Sequence, residues 1–105
     1  MLCDIARLLI ESVADYEGAV VGRWGGEEFF VMLPGVDEVG AMDYAERLRL
    51  TVSDHRFSEP GHLTISQGVI TVRDRVDQKL VYKQVDDALY KAKDSGRNRV
   101  VQAIR

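Results

Sequence analysis

Two short apolar, β-rich runs flank a glycine pair, and this arrangement constrains the fold more than any other feature of the chain. The first run covers residues 19–24 and the second begins at Phe29, with Gly-Gly-Glu-Glu at positions 25–28 between them. Runs of this kind joined across a Gly-Gly pair predict a β-hairpin. We expect its strands at residues 19–24 and 28–33, ended by Pro34-Gly35.

The predicted hairpin tip carries two adjacent carboxylates, Glu27 and Glu28. Like charges this close repel each other. A divalent cation removes that repulsion, because Mg²⁺ and Ca²⁺ take oxygen ligands and need negative charge around them. One interpretation is therefore a metal-binding turn that holds a phosphate-bearing substrate. The alternative is an ordinary solvated hairpin tip.

Apolar periodicity elsewhere predicts three helices and two further strands. The helices are expected at residues 2–16, 38–53 and 79–94, and Asp37 is the predicted N-cap of the second helix. The two further strands are expected at 63–72 and 99–104. The loop expected at 54–62 contains Pro60-Gly61. Side chains expected in or beside the core include Phe29, Leu33, Ile65, Leu89 and Tyr90.

Length and composition favour one small domain. The chain has 105 residues, a formal net charge of -3 and a single cysteine, Cys3. A disulfide framework is excluded, and the charge argues against general nucleic-acid binding. No apolar run is long enough to cross a bilayer, and no signal peptide is visible at the N-terminus. We expect a cytoplasmic domain, or the cytoplasmic part of a larger sensor protein.

The element order is α-β-β-α-β-α-β, which predicts an α+β sandwich. From its first helix onward this order matches a ferredoxin-like β-α-β-β-α-β unit, but the opening strand, which is central in such sheets, is missing. A sheet with that gap exposes unpaired strand edges. We therefore expect that a second copy could fill it, giving a strand-swapped or edge-paired dimer.

Three segments, taken together, resemble the GGDEF family of diguanylate cyclases. They are Arg-Trp-Gly-Gly-Glu-Glu-Phe at 23–29, Thr-Ile-Ser-Gln-Gly-Val at 64–69, and the stretch from Asp86 to Asn98 that contains Ala-Leu-Tyr-Lys-Ala-Lys. The resemblance runs from Leu2 to Val101. We therefore interpret residues 1–105 as a single GGDEF domain, truncated at its N-terminus.

The resemblance implies a fold like the palm of nucleotide cyclases and polymerases, with an antiparallel-rich sheet. It also implies that two domains, each holding one GTP with Mg²⁺ or Mn²⁺, meet as a homodimer. Each 3′-hydroxyl then attacks the α-phosphate of the partner's nucleotide, so that cyclic di-GMP forms and two pyrophosphates leave. A cation held by carboxylates would stabilise the charge on the attacking and leaving oxygens.

The family's functional positions map onto the hairpin tip of this sequence. Glu27 matches a variable acidic position that resembles a metal ligand. Glu28 matches a fixed acidic position that binds the metal or activates the 3′-hydroxyl. Gly25 and Gly26 match the turn that contacts the nucleotide. Absence of side chains there lets a substrate approach the backbone closely.

Lys93 and Arg97 match a basic pair that touches the terminal phosphates in the family. Both lie on one helix face if the helix continues through Gly96. If the helix stops at Ser95, the loop must place Arg97 instead. The alternative interpretation is a solvated helix C-terminus, where cations complement the helix dipole.

The chain departs from the family pattern in two places. The missing opening strand would supply an Asp to the metal, so the isolated chain is expected to have little or no cyclase activity. Tyr16 and Ala19 occupy the positions of an Arg-x-x-Asp inhibitory motif, so product binding through that motif is not expected. The alternative function is a non-catalytic domain that binds nucleotide or a partner protein in signalling.

Overall fold

The computed structural model describes residues 2–25, 28–54, 65–72 and 78–103. In chain order the elements are helix α1 (Leu2–Ser12), strands β1 (Val20–Gly25) and β2 (Glu28–Met32), helix α2 (Glu38–Asp54), strand β3 (Gln67–Val69), helix α3 (Gln78–Asp94) and strand β4 (Val100–Gln102). This is the predicted order, α-β-β-α-β-α-β, and it confirms the α+β fold class.

Helix α1 ends at Ser12, four residues before the predicted end at position 16, and the prediction was wrong there. The Ser12 hydroxyl donates to the Leu9 carbonyl over 2.6 Å, and it shares a second hydrogen bond of 2.7 Å with the Tyr44 hydroxyl. The chain then turns through i to i+3 bonds, such as Tyr16 N–H to the Val13 carbonyl. Val13 and Tyr16 still pack on the core from these turns, which is why the apolar stripe overestimates the helix.

Helix α2 begins where the sequence predicts, because Asp37 caps it. The Asp37 carboxylate accepts a hydrogen bond of 2.8 Å from the Gly40 N–H, and the Asp37 carbonyl accepts one from Ala41. This satisfies an N–H group that has no partner within the helix. The buried face comprises Tyr44, Ala45, Leu48 and Val52.

Strands β1 and β2 form the predicted antiparallel hairpin, in which Val20 pairs with Met32 and Gly22 with Phe30. A Cβ added at Gly22 would lie 2.2 Å from the Phe30 ring. The Phe30 ring therefore covers the Gly22 backbone, and this contact needs glycine at that position.

Strands β3 and β4 form a parallel pair, with Gly68 opposite Val101. Both are shorter than the predicted 63–72 and 99–104, although residues 63, 64 and 104 lie outside the described residues. The length of β3 is limited by its pairing with β4. The first hydrogen bond of the pair runs from Gln67 N–H to the Arg99 carbonyl, and the last runs from Ala103 N–H to the Val69 carbonyl. Within the described ranges, no strand ladder joins this pair to the hairpin.

The main core lies between α1, α2 and the hairpin. Its buried side chains are Ile5, Leu9, Tyr44, Leu48 and Val52, and Phe29, Leu33 and Ile65 pack against them as predicted. Tyr90 is 68% exposed, so its expected place beside the core was wrong. It lies on the side of α3 away from its buried residues, Ala88 and Ala92. Among the described helices, none is both long and apolar enough for a membrane span.

Candidate functional site

The hairpin tip is built on an irregular ladder. Arg23 pairs with Phe29, but the next pair is Gly25 with Glu28, so Trp24 is an extra residue on β1. Such a bulge bends the strand and re-aims the side chains that follow it. Periodicity did not predict this bulge, because one inserted residue leaves no signature in so short a strand.

Glu28 is the first residue of β2 and is half-buried. Within the part of the chain that the structure describes, the ion pairs are Arg47–Asp43 and Arg49–Glu46, so no described cation neutralises Glu28. Gly26 and Glu27 lie outside the described residues. No group of three potential metal ligands converges among the described residues, which include only one of the two predicted carboxylates.

The C-terminal end of α3 is closed by a Schellman motif. The Gly96 N–H donates to the Lys93 carbonyl over 3.4 Å, and the Arg97 N–H donates to the Ala92 carbonyl over 2.9 Å. These are the 5→2 and 6→1 bonds of that cap. The helix therefore ends at Asp94, before Gly96, and the loop rather than a helix face places Arg97.

Three consecutive residues of this loop have positive φ: Gly96 at 127°, Arg97 at 62° and Asn98 at 45°. Residues other than glycine rarely adopt this region, although asparagine does so more often than most. Lys93 is half-buried and Arg97 is exposed. The predicted basic pair thus straddles a tight cap, with Lys93 before the turn and Arg97 in a strained conformation after it.

A side-chain cluster on α2 contacts this loop. Arg49 donates from Nε to Oε2 of Glu46 over 2.9 Å and also pairs its Nη2 with Oε1 of Glu46. Its remaining nitrogen, Nη1, donates to Oδ1 of Asn98 over 3.1 Å. Hydrogen bonding to Arg49 lowers the pKa of the Glu46 carboxyl, and the same contact raises the pKa of Arg49.

The structure brings Lys93 and Arg97 together around one cap but joins neither to Glu28 by a hydrogen bond or ion pair within the described ranges. Sequence reasoning missed the contact between Arg49 and Asn98. The i, i+3 spacing of Glu46 and Arg49 could have predicted their pairing. Because Arg49 and Asn98 are separated by 49 positions in the sequence, their contact leaves no local signal.

Tyr16, one of the two residues that the resemblance matches to an inhibitory motif, contacts helix α2. The Tyr16 hydroxyl accepts a hydrogen bond of 2.7 Å from Arg47. Its ring meets the Tyr44 ring edge to face, with centroids 5.5 Å apart. Through these two contacts Tyr16 connects the turn after α1 to helix α2. Burial is the main reason why the pKa of Tyr44 is raised above its ordinary value.

Comparison with known families decides the relationship. The sequence model of the family described as "Diguanylate cyclase, GGDEF domain" matches residues 1–99. The chain belongs to the GGDEF family. Among curated relatives of this GGDEF domain, Diguanylate cyclase DgcM of Escherichia coli K12 is 43% identical over 103 residues, which are 98% of this chain. A diguanylate cyclase of Vibrio cholerae is 36% identical over 104 residues, or 94% of the chain.

Solved structures agree with the GGDEF assignment. The active GGEEF domain of a diguanylate cyclase from Vibrio cholerae matches 99% of this chain with a TM-score of 0.86 and 33% identity, over 67% of its own length. The coiled coil and GGDEF domain of DgcB from Caulobacter crescentus, in complex with c-di-GMP, matches 97% with a TM-score of 0.88 and 25% identity, over 56% of its length.

The GGDEF chain spans only part of its curated relatives. The match covers 25% of DgcM and 31% of the Vibrio cholerae protein. The family and the fold therefore belong to this chain directly, whereas the activity of the whole relatives does not follow from the match alone.

Proposed function

We propose that this GGDEF domain serves a bacterial diguanylate cyclase, which condenses two GTP molecules into cyclic di-GMP and releases two pyrophosphates. The observation that carries the proposal is the position of Glu28. It is half-buried at a bulged hairpin tip, opposite Gly25, and no described cation pairs with it. Partial burial of a carboxylate without a cationic partner costs free energy, so this position favours the binding of a cation from outside the protein.

Carboxylate oxygens are the donors that Mg²⁺ and Mn²⁺ prefer, so the chemistry of the tip fits either ion. Glu28 and Glu27 would hold it, and the bound ion would neutralise charge on the phosphates. A role for Glu28 in taking the proton of the attacking 3′-hydroxyl is compatible with the same position. Gly25, which has no side chain, leaves room for the nucleotide to approach the β1 backbone.

Lys93 and Arg97 are proposed to bind the terminal phosphates of GTP. Neither is in an ion pair with another described residue. Arginine can bond two phosphate oxygens at once, whereas lysine acts as a compact point charge. Together they would hold the leaving pyrophosphate in place while the α-phosphate reacts, which is catalysis chiefly by positioning and charge stabilisation.

The reaction joins two nucleotides, and the proposal therefore includes a homodimer. Each domain binds one GTP, and each 3′-hydroxyl attacks the α-phosphorus of the nucleotide on the partner. The bond from that phosphorus to the pyrophosphate oxygen breaks, pyrophosphate leaves, and the hydroxyl proton passes to a base, the role proposed for Glu28. GTP is an intracellular nucleotide, so we place the domain in the cytoplasm.

The test follows product formation by the intact protein at the length its gene encodes. The protein is incubated with GTP and Mg²⁺ or Mn²⁺, and cyclic di-GMP and pyrophosphate are separated by chromatography. We expect both products from the wild type and from the control Glu11→Gln, which removes an exposed carboxylate on α1. Glu28→Gln should abolish them.

Two results would contradict the proposal in different ways. GTP binding without any cyclic di-GMP would make the domain a nucleotide-binding module rather than a cyclase. Full activity of Glu28→Gln would remove the hairpin tip from the reaction. A calorimetric titration with GTP, run beside the activity assay, separates loss of binding from loss of chemistry.

A further inference from the structure

The loop from Gly96 to Asn98 stores backbone strain at a proposed phosphate-binding residue. Arg97 has a φ of 62° and Asn98 a φ of 45°. Conformations of this kind persist only where surrounding contacts over-determine them. Asparagine tolerates the left-handed region, but arginine has no side-chain bond that favours it. Contacts elsewhere must therefore hold Arg97 in place.

Hydrogen bonds hold the backbone of Arg97 on both sides. Its N–H donates to the Ala92 carbonyl over 2.9 Å, and its carbonyl accepts from Nε of Arg99 over 3.1 Å. Downstream, the Arg99 carbonyl accepts from Gln67 N–H of β3. The remaining residue of the loop, Asn98, has its side chain held by helix α2.

That contact comes from a guanidinium with a fixed orientation. The side chain of Arg49 is only 19% exposed, and Glu46 pairs with two of its nitrogens. A bidentate arginine–carboxylate pair fixes the plane of the guanidinium. The third nitrogen then meets Oδ1 of Asn98 at 3.1 Å. All three guanidinium nitrogens of Arg49 are thus hydrogen-bonded to groups of the protein.

We propose that Arg49, oriented by Glu46, is a positioning residue that acts on Arg97 through Asn98; this inference rests on the proposed phosphate role of Arg97. Holding the Asn98 side chain also holds the peptide bond between Arg97 and Asn98. The Arg97 side chain therefore projects from a backbone whose position is already fixed. A binding group that is ordered beforehand loses less conformational entropy when its ligand arrives. Arg49 itself is not proposed to contact the phosphates, because its three guanidinium nitrogens already bond to Glu46 and Asn98.

The test is a double-mutant cycle on the intact protein, with GTP in Mg²⁺ buffer as the calorimetric probe. Arg49→Gln should weaken GTP binding about three- to tenfold, the effect expected when one long side chain must be ordered on binding. Asn98→Gly, which keeps the left-handed backbone accessible but removes Oδ1, should weaken it similarly. In an Arg97→Ala background, Arg49→Gln should add nothing, because the residue through which it acts is gone.

Arg47→Gln is the matched control. It removes the same charge from the same helix and breaks an i, i+4 ion pair with Asp43 at 3.2 Å and a hydrogen bond to Tyr16, but no hydrogen bond or ion pair joins it to Gly96, Arg97 or Asn98. GTP affinity should be unchanged. A strong intraresidue HN–Hα NOE, typical of φ near +60°, should mark Arg97 and Asn98 in the wild type and weaken in Arg49→Gln.

The possible failures are distinguishable. If Arg97→Ala leaves GTP affinity unchanged, the proposed phosphate role fails, and the inference fails with it. If Arg97→Ala weakens binding but Arg49→Gln does not, the positioning role alone is overturned. Equal losses from Arg49→Gln with and without Arg97 would also overturn it, because Arg49 would then act directly or through general stability.

Discussion

Gly68 of β3 lies against the backbone of α3 at Leu89, and a Cβ at position 68 would be 2.6 Å from the Leu89 nitrogen. The carbonyl oxygen of Val85 would be at 2.5 Å. Only glycine allows this approach. Position 68 is therefore a point of close approach between strand β3 and helix α3.

Gly68→Ala is therefore expected to lower the free energy of unfolding by about 1–3 kcal/mol, the usual range for overpacking. Urea denaturation followed by circular dichroism measures it. The double variant Gly68→Ala/Ala88→Gly should not recover stability, because the nearest atoms are backbone and the Ala88 Cβ is farther away, at 3.1 Å. Recovery by Ala88→Gly would show that side-chain contact limits the approach instead.

Asp37→Ala should lower the free energy of unfolding by about 1 kcal/mol, since it removes the N-cap of α2. Asp37→Ser should lose much less, because a serine hydroxyl can still accept from the Gly40 N–H. The same denaturation experiment compares the two. Equal losses from both substitutions would mean that charge at the helix N-terminus, and not the hydrogen bond, provides the stabilisation.

The pair between Glu46 and Arg49 predicts a pH dependence. Hydrogen bonding to Arg49 lowers the folded-state pKa of Glu46. The contribution of this pair to stability is therefore complete above the unfolded-state pKa, about 4.3, and disappears as the pH falls through the lower folded-state value. The stability difference between wild type and Glu46→Gln should be constant from pH 7 to about pH 5 and shrink below that. A difference that persists unchanged at lower pH would contradict the assignment.

The proposed phosphate contacts predict a difference between nucleotides. Lys93→Gln and Arg97→Gln should each weaken GTP binding about tenfold or more, since a hydrogen bond to a charged group contributes about 1.5–3 kcal/mol. GMP binding should change little, because GMP lacks the terminal phosphates. Calorimetry with both nucleotides makes the comparison. Equal losses for GTP and GMP would place these side chains away from the terminal phosphates.

Much of the fold could be predicted from the sequence because local signals specify it. The Gly-Gly pair between apolar runs predicted the hairpin, Asp37 predicted the start of α2, and apolar periodicity predicted the end of α3 at position 94. Where the sequence misled, tertiary contacts override local pattern. Val13 and Tyr16 pack on the core from a turn, and β3 extends only as far as its partner β4 pairs with it.

The candidate site was less predictable than the fold. Residue type and motif made Glu28, Lys93 and Arg97 candidates, but the geometry around them depends on non-local features. The bulge at Trp24 and the contact from Arg49 to Asn98 arise from pairing between separated parts of the chain. The positive φ of Arg97 accompanies the local cap of α3, whereas the contact from Arg49 to Asn98, through which Arg97 is proposed to be positioned, lies outside any window of sequence around residue 97.

The proposed function depends on a cation held at the hairpin tip, and Mn²⁺ binding tests that most directly. Electron paramagnetic resonance measures free Mn²⁺ during titration of the intact protein in the presence of GTP. Replacing a residue that only orients a metal ligand already lowers metal affinity about 10–100-fold, so Glu28→Gln, which removes a proposed ligand, should lower it at least that much, while Glu11→Gln should not change it. Equal Mn²⁺ affinity in wild type and Glu28→Gln would contradict a cation site at the hairpin tip.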